Sequence, residues 1–284
     1  MALKKWTAFP HDASAFSYAG AAFKKAWPRL HCGDGESYPD AKAIANAIAA
    51  DASLKKVLKG DAKAIAAELE AGWRAFHSGD FQAATKAGDA LGAFGAVLAT
   101  KSSGIYASNL CDDEAQKMAL FQAGAERCEA AKATFPDNAN SHYFHAFALG
   151  RYSQCISITK ALAQGLGGKI KVSLKAALEL NPKHAEAHLA MAMYHAEIIN
   201  KIGGMIGKLT YGASADEALK HFETARKLNP NAPVVHLEFG RGLMLLNAKK
   251  NSDAARNAYA VATQLKPSDA MEQLDIDAAK AELE

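Results

Sequence analysis

Four prolines, Pro136, Pro182, Pro230 and Pro267, each close one alanine-bearing apolar stretch and precede another, and this recurring stop constrains the fold more than any other feature. The stretches that lead into them are Ala131-Lys132-Ala133-Thr134-Phe135, Ala177-Leu178-Glu179-Leu180-Asn181, Ala225-Arg226-Lys227-Leu228-Asn229 and Ala262-Thr263-Gln264-Leu265-Lys266. Three residues before each leading alanine stands Cys128, Leu174, Phe222 or Tyr259. Proline cannot continue a helix, yet its fixed φ suits the first turn of the next one, so each works as punctuation between antiparallel helices. Alanine accounts for 63 of the 284 residues, which favours helix on both sides of every stop. Past three of the prolines a second pattern recurs, a histidine followed four residues later by Ala or Gly: His142 to Ala146, His188 to Ala192 and His236 to Gly240. Small and large side chains alternate in this way where helices pack closely. The spacing predicts an all-α chain of helical hairpins.

These residues resemble the tetratricopeptide repeat, a helix-turn-helix unit of about 34 residues with small residues where its helices cross and a proline near its end. On that resemblance the small site of the first helix is Ala146, Ala192 and Gly240. The small sites of the second helix are Ala177, Ala225 and Ala262, with Ile170, Ala218 and Ala255 earlier in that helix and Leu174, Phe222 and Tyr259 as the bulky site. An older unit stands upstream as Gly72, the turn Gly79-Asp80-Phe81 and Ala84, giving about four units in all. The four prolines lie 46, 48 and 37 residues apart, so the helices are elongated or the loops enlarged. The two large insertions contain Gly165-Leu166-Gly167-Gly168-Lys169 and the run from Gly203 to Gly212. Elongated units of this kind, from about Asn140 to Pro267, resemble the T-component of tripartite ATP-independent periplasmic transporters and the regulator of microtubule dynamics family. The fold class implied is an all-α tetratricopeptide-like helical-hairpin solenoid with elongated helices.

Residues 61–267 are expected to form the repeats. Residues 1–60 carry Phe16, Tyr18, Phe23 and Trp27 on a helix and read as an amino-terminal cap, and residues 268–284 read as a solvated capping helix at the other end. The net charge of +3 is too small to announce a nucleic-acid partner, and Lys24-Lys25-Ala26-Trp27-Pro28-Arg29 reads as a solvated face. Cys32, Cys111, Cys128 and Cys155 are scattered without metal or disulfide spacing. Met1 to Pro10 lacks the apolar core of a signal peptide and no run is long enough to span a bilayer, so the expectation is a cytoplasmic protein without membrane insertion.

Catalytic patterns fail on inspection. His184, His188 and His195 share a helical stretch, but no H-E-x-x-H motif occurs, and the repetition of His142, His188 and His236 points to a structural role between helices. The loop His31-Cys32-Gly33-Asp34-Gly35-Glu36 holds metal-binding groups without a second cluster. Gly168-Lys169 and Gly207-Lys208 miss the spacing of a phosphate-binding loop, and G-x-S-x-G is absent. No enzyme activity, cofactor or metal is expected.

What the tetratricopeptide resemblance implies instead is a binding surface lined by the first helix of each unit. Carried onto this chain it gives Trp73 and Phe76, then Tyr143, Phe147 and Arg151, then Glu186, Leu189, Met193 and Glu197, then Leu237, Arg241 and Met244. Aromatics, methionines and charges of both signs suit a groove for an extended peptide or helix, so the expected function is a protein- or peptide-binding scaffold, with a homo-oligomer among its compatible assemblies. The alternative is a small-ligand carrier whose apolar cavity is enclosed by the long helices and Gly-rich insertions, as the transporter resemblance implies. Ordinary core is the third reading of the same residues, if the lengthened helices turn them against one another or against the amino-terminal segment.

Overall fold

The computed structural model describes residues 6–56, 58 and 60–284, and no strand occurs among them. The part of the amino-terminal reading that falls on residues 1–5 lies outside the described residues. The chain opens with α1 (Ala21–Leu30) and α2 (Ala41–Ala50) and then forms the hairpins. They are α3 (Ala62–His77) with α4 (Phe81–Ala90), α5 (Ala96–Asn109) with α6 (Glu114–Thr134), and α7 (Ala139–Gln154) with α9 (Leu166–Leu180). After these come α10 (Ala185–Ile202) with α12 (Ala215–Leu228), and the two halves of α13 (Pro233–Gln264), which breaks at Asn247. The Gly-rich insertions fold as α8 (Ile158–Ala163) and α11 (Gly204–Tyr211), and α14 (Ala270–Ala281) ends the chain.

Each hairpin is set by local chemistry. Asp61, Asp80, Asp113, Asn138, Ser214 and Asp269 cap helix starts by accepting backbone N–H bonds two or three residues on. The recurring histidines do something the sequence pattern only hinted at. His142, His188 and His236 each donate a ring N–H to the carbonyl of the proline six residues earlier, Pro136, Pro182 and Pro230, at 2.8, 3.0 and 2.8 Å. One side chain thus pins each turn to the helix that follows it.

The small sites are where helices touch: Ala131, Ala177, Ala225 and Ala262 are wholly buried, as are Cys128, Leu174 and Phe222 beside them. Five hairpins form among the described residues, one more than the sequence reading counts. The added pair, α5 and α6, has no proline before it; its entry is instead the close approach of Gly88 and Gly95, where a Cβ on Gly88 would meet the Gly95 carbonyl oxygen at 2.6 Å.

The two ends of the array meet. Helix α14 packs along α13 and also touches α3 and α5, so the row of hairpins curls until its last helix reaches its first. The expectation of a solvated α14 is therefore corrected: Met271, Leu274, Ile276 and Ala279 are buried, and so are Glu272 and Asp275. The amino-terminal segment does more than cover one end. Phe23, Trp27 and His31 pack edge-on against Trp73 and His77 of α3. Further along, Arg29 forks onto Glu272 at 2.7 and 3.0 Å, the Tyr18 hydroxyl donates to the Ser268 carbonyl at 2.5 Å, and Glu186 N–H donates to the Gly33 carbonyl at 3.0 Å. Residues 18–36 thus fill one end of the space inside the curl. No helix among the described residues is long and apolar enough to cross a membrane.

Candidate ligand-binding cavity

The unfilled part of that interior is a partly enclosed cavity of about 820 Å³. Its walls come from α7 (Tyr143, Phe147, Arg151), α10 (Glu186, Leu189, Met193, Glu197) and the first half of α13 (Leu237, Arg241). Met244 is 37% exposed and lines a smaller adjoining hollow with Met193, Glu197 and Arg241. Two residues assigned to this surface belong elsewhere. Trp73 and Phe76 are 2% and 0% exposed: Trp27 and His31 pack edge-on against Trp73, and Phe76 packs among Trp73, His77 and Phe81, so both rings are core.

Several lining residues lie outside the sequence-based set. Helix α14 contributes Met271, Leu274 and Asp275, and the insertions contribute Leu162 of α8, Leu166 and Ile170 of α9, and Tyr211 of α11. Tyr211 lies over Gly167, where an added Cβ would meet its ring at 2.9 Å, and Lys171 holds the Tyr211 carbonyl at 2.5 Å. The apolar side chains in Gly-rich insertions were the available signal for these; nothing local in the sequence marks α14 as a wall, because its placement depends on the closure of the whole array.

The charges on the walls are largely matched among themselves. Arg151 and Arg241 both reach Glu238 Oε1, at 3.3 and 3.1 Å, and Arg241 also holds Glu282 at 2.8 Å. Burial alone would raise the Glu238 carboxyl, but the two guanidinium groups outweigh it and hold the group below its ordinary range. Glu197 accepts from Gln154 at 3.1 Å and pairs with Lys201 at 3.0 Å.

From Lys101 and Glu186 of the cavity lining runs a buried polar chain that few local signals foretell. Asp269 meets His77 at 2.7 Å; His77 Nε2 lies 3.2 Å from His31 Nε2; His31 Nδ1 bonds Asp34 at 2.9 Å; and Lys101 bridges Asp34 at 2.6 Å and Glu186 at 3.4 Å. It joins α14, α3, the loop 31–36, α5 and α10. Burial opposes the charge on Lys101 and on Asp34, yet each holds the other ionised, the ammonium above its usual range and the carboxyl well below. Burial, followed by the Asp34 charge, pushes Glu36 up to about 7, where Asn140 donates to it at 2.5 Å.

The histidines considered as ligands separate into distinct structural tasks. His184 caps α10, its Nδ1 accepting from Ala187 N–H at 3.1 Å and its Nε2 donating to Asn140 at 2.8 Å. His195 receives Ser214 N–H at 3.3 Å. His31 and Asp34 belong to the buried polar chain.

A solved thermophilic tetratricopeptide-repeat protein from Thermus thermophilus has a similar fold, with a TM-score of 0.54 and 18% identity, covering 76% of this chain and 99% of that one. No curated protein matches the chain. The sequence profile of regulator of microtubule dynamics protein 1-3 matches residues 96–283, a span that takes in α5 through α14 and thus most of the cavity. The chain is an all-α tetratricopeptide-like solenoid, and it belongs to the regulator of microtubule dynamics family.

Proposed function

We propose that the chain is a non-enzymatic binding protein that carries an elongated apolar molecule in the cavity inside the curl. The observation that carries this reading is the interruption of the inner face. A continuous groove along the first helices would suit a long peptide, but residues 18–36 fill one end and α14 walls another side, leaving about 820 Å³. That lies within the roughly 300–1,000 Å³ typical of small-molecule pockets. Leu162, Leu166, Phe147, Leu189, Met193 and Leu274 offer apolar surface. The guanidinium groups of Arg151 and Arg241, committed to Glu238, help fix the wall.

The test uses Nile red, a neutral apolar dye whose fluorescence rises on burial. Gly150 lines the cavity, and a Cβ built on it meets nothing within 4 Å, so Gly150→Phe places a ring in the cavity at little cost to packing. Wild-type protein is expected to bind the dye, and the variant to lose that binding at an unchanged melting temperature. Equal dye binding by the two would reject the cavity as the ligand site.

A second reading is a scaffold that engages a protein partner, favoured by the family profile, whose name is that of regulators of microtubule dynamics. Co-sedimentation with polymerised tubulin tests it. Retention that Gly150→Phe leaves intact would place protein binding on the outer surface and separate it from the cavity.

A further inference from the structure

Two buried side-chain polar atoms have no hydrogen-bond partner among the described residues, Asp275 Oδ2 and Tyr194 Oη, and both residues line the cavity. Such orphans are rare in folded proteins, because an unmet polar atom away from water costs free energy. Here they are not scattered through the core; both belong to residues that line one interior space.

Asp275 is the more informative of the pair. It sits midway along α14, is 6% exposed, and stands between the buried apolar residues Leu274 and Ile276. The cations of the site are already engaged: Arg151 and Arg241 by Glu238, Lys201 by Glu197, and Lys101 by Asp34 and Glu186. The charged groups that act most strongly on Asp275 are acidic, namely Asp269 and Glu272 at the start of its own helix, Glu238 on α13 and Glu186 on α10. Burial comes first and these carboxylates second in holding its carboxyl well above the ordinary range. A fatty acid or a phosphate at this wall would add like charge to that field. A group that brings a positive charge and N–H donors answers both the under-partnered Asp275 carboxyl and the field.

We propose that the cavity selects a ligand with an apolar body and a single ammonium head, a long-chain primary amine in chemical class, and that the head is seated on Asp275. This rests on the cavity being a ligand site, and the experiment separates the two claims. Decylamine, decanol and decanoate share one chain and differ in the head, and each is titrated as a competitor of Nile red against wild type and Asp275→Asn. If the cavity is a ligand site, decanol displaces the dye whatever the fate of the amine claim. Decylamine is expected to displace it about ten- to a hundred-fold more tightly than decanol, the range of a charge-assisted hydrogen bond in a site away from water. In Asp275→Asn this ratio should fall close to one. The variant removes a carboxyl that has no partner at Oδ2, so its melting temperature should match or exceed that of wild type. In wild type alone, decylamine binding no more tightly than decanol, or decanoate binding best, would overturn the proposal while leaving the cavity reading in place. An undiminished amine preference in Asp275→Asn would overturn the assignment to this residue.

Discussion

Lys101→Met removes the cation from the chain of polar groups that joins the amino-terminal loop to the repeats. Methionine keeps most of the aliphatic stem, so the packing of α5 changes little and the loss is chiefly of charge. The ammonium is 2% exposed and holds Asp34 at 2.6 Å and Glu186 at 3.4 Å. Without it Asp34, itself wholly buried, keeps only His31 and the backbone N–H of Glu36 as partners. Breaking one side of a buried pair costs about 3–5 kcal/mol, because the remaining charge stays out of water without its counter-ion. With about 2–4 °C lost per kcal/mol in a chain of this class, the melting temperature should fall by roughly 6–20 °C. Urea unfolding followed by circular dichroism measures the loss, and hydrogen exchange over residues 21–38 locates it. The double variant Lys101→Met with Asp34→Asn, which neutralises the stranded carboxyl, should regain much of the stability through a coupling of about 1–3 kcal/mol. A single-variant loss below about 1 kcal/mol, the size of an exposed ion pair, would refute the claim that this bridge ties the segment in place.

Two further outcomes follow from particular residues. Ala225→Leu forces a larger side chain into a wholly buried crossing between helices and should destabilise by about 1–3 kcal/mol; an unchanged melting curve would refute the repeat register. Burial lowers His31 and His184 to about 4, and His184 Nδ1 must also stay unprotonated to accept the Ala187 N–H. The unfolded chain therefore binds more protons than the folded one between about pH 6.5 and 4, and stability is lost as pH falls through that window, by up to about 3 kcal/mol per histidine. Urea midpoints that stay level from pH 7 to about pH 4.5 would contradict it.

Much of the repeat architecture was legible because each stop repeats the same local chemistry. The alanine before each proline must be small for one reason, helix approach, and the sequence states that reason four times at Ala131, Ala177, Ala225 and Ala262. The surface residues on α7, α10 and α13 were legible for the same cause, and all but Met244 line one cavity. What the pattern could not convey was which inner faces the amino-terminal segment would occupy. Trp73 occupies the same helical register as the cavity residues, and the arrival of Trp27 and His31 from a distant part of the chain turns it into core, while Phe76 packs behind it against His77 and Phe81. Asp275 was illegible for a related reason: an acidic residue in a helix rich in charge reads as solvated until the array closes and α14 becomes a wall.

Solenoids are ordinarily quasi-one-dimensional: each repeat depends on its neighbours, and a repeat lost from one end leaves the rest standing. The segment inside this curl removes that independence. His11 pairs with Asp277 across 266 residues of sequence, Tyr18 reaches Ser268 across 250, and Arg29 reaches Glu272 across 243. Contacts of such separation slow folding, since the chain between them must be ordered before they form. On the ribosome the first segment emerges early, and Ser268, Glu272 and Asp277 become available to it only when almost the whole chain has been made. Phe23 and Trp27 can pack on Trp73 and His77 as soon as α3 is made, whereas the polar ties of Tyr18 and Arg29 wait for the last helix. A truncation after α13 would therefore strip His11, Tyr18 and Arg29 of these partners as well, so the two ends of this array are coupled.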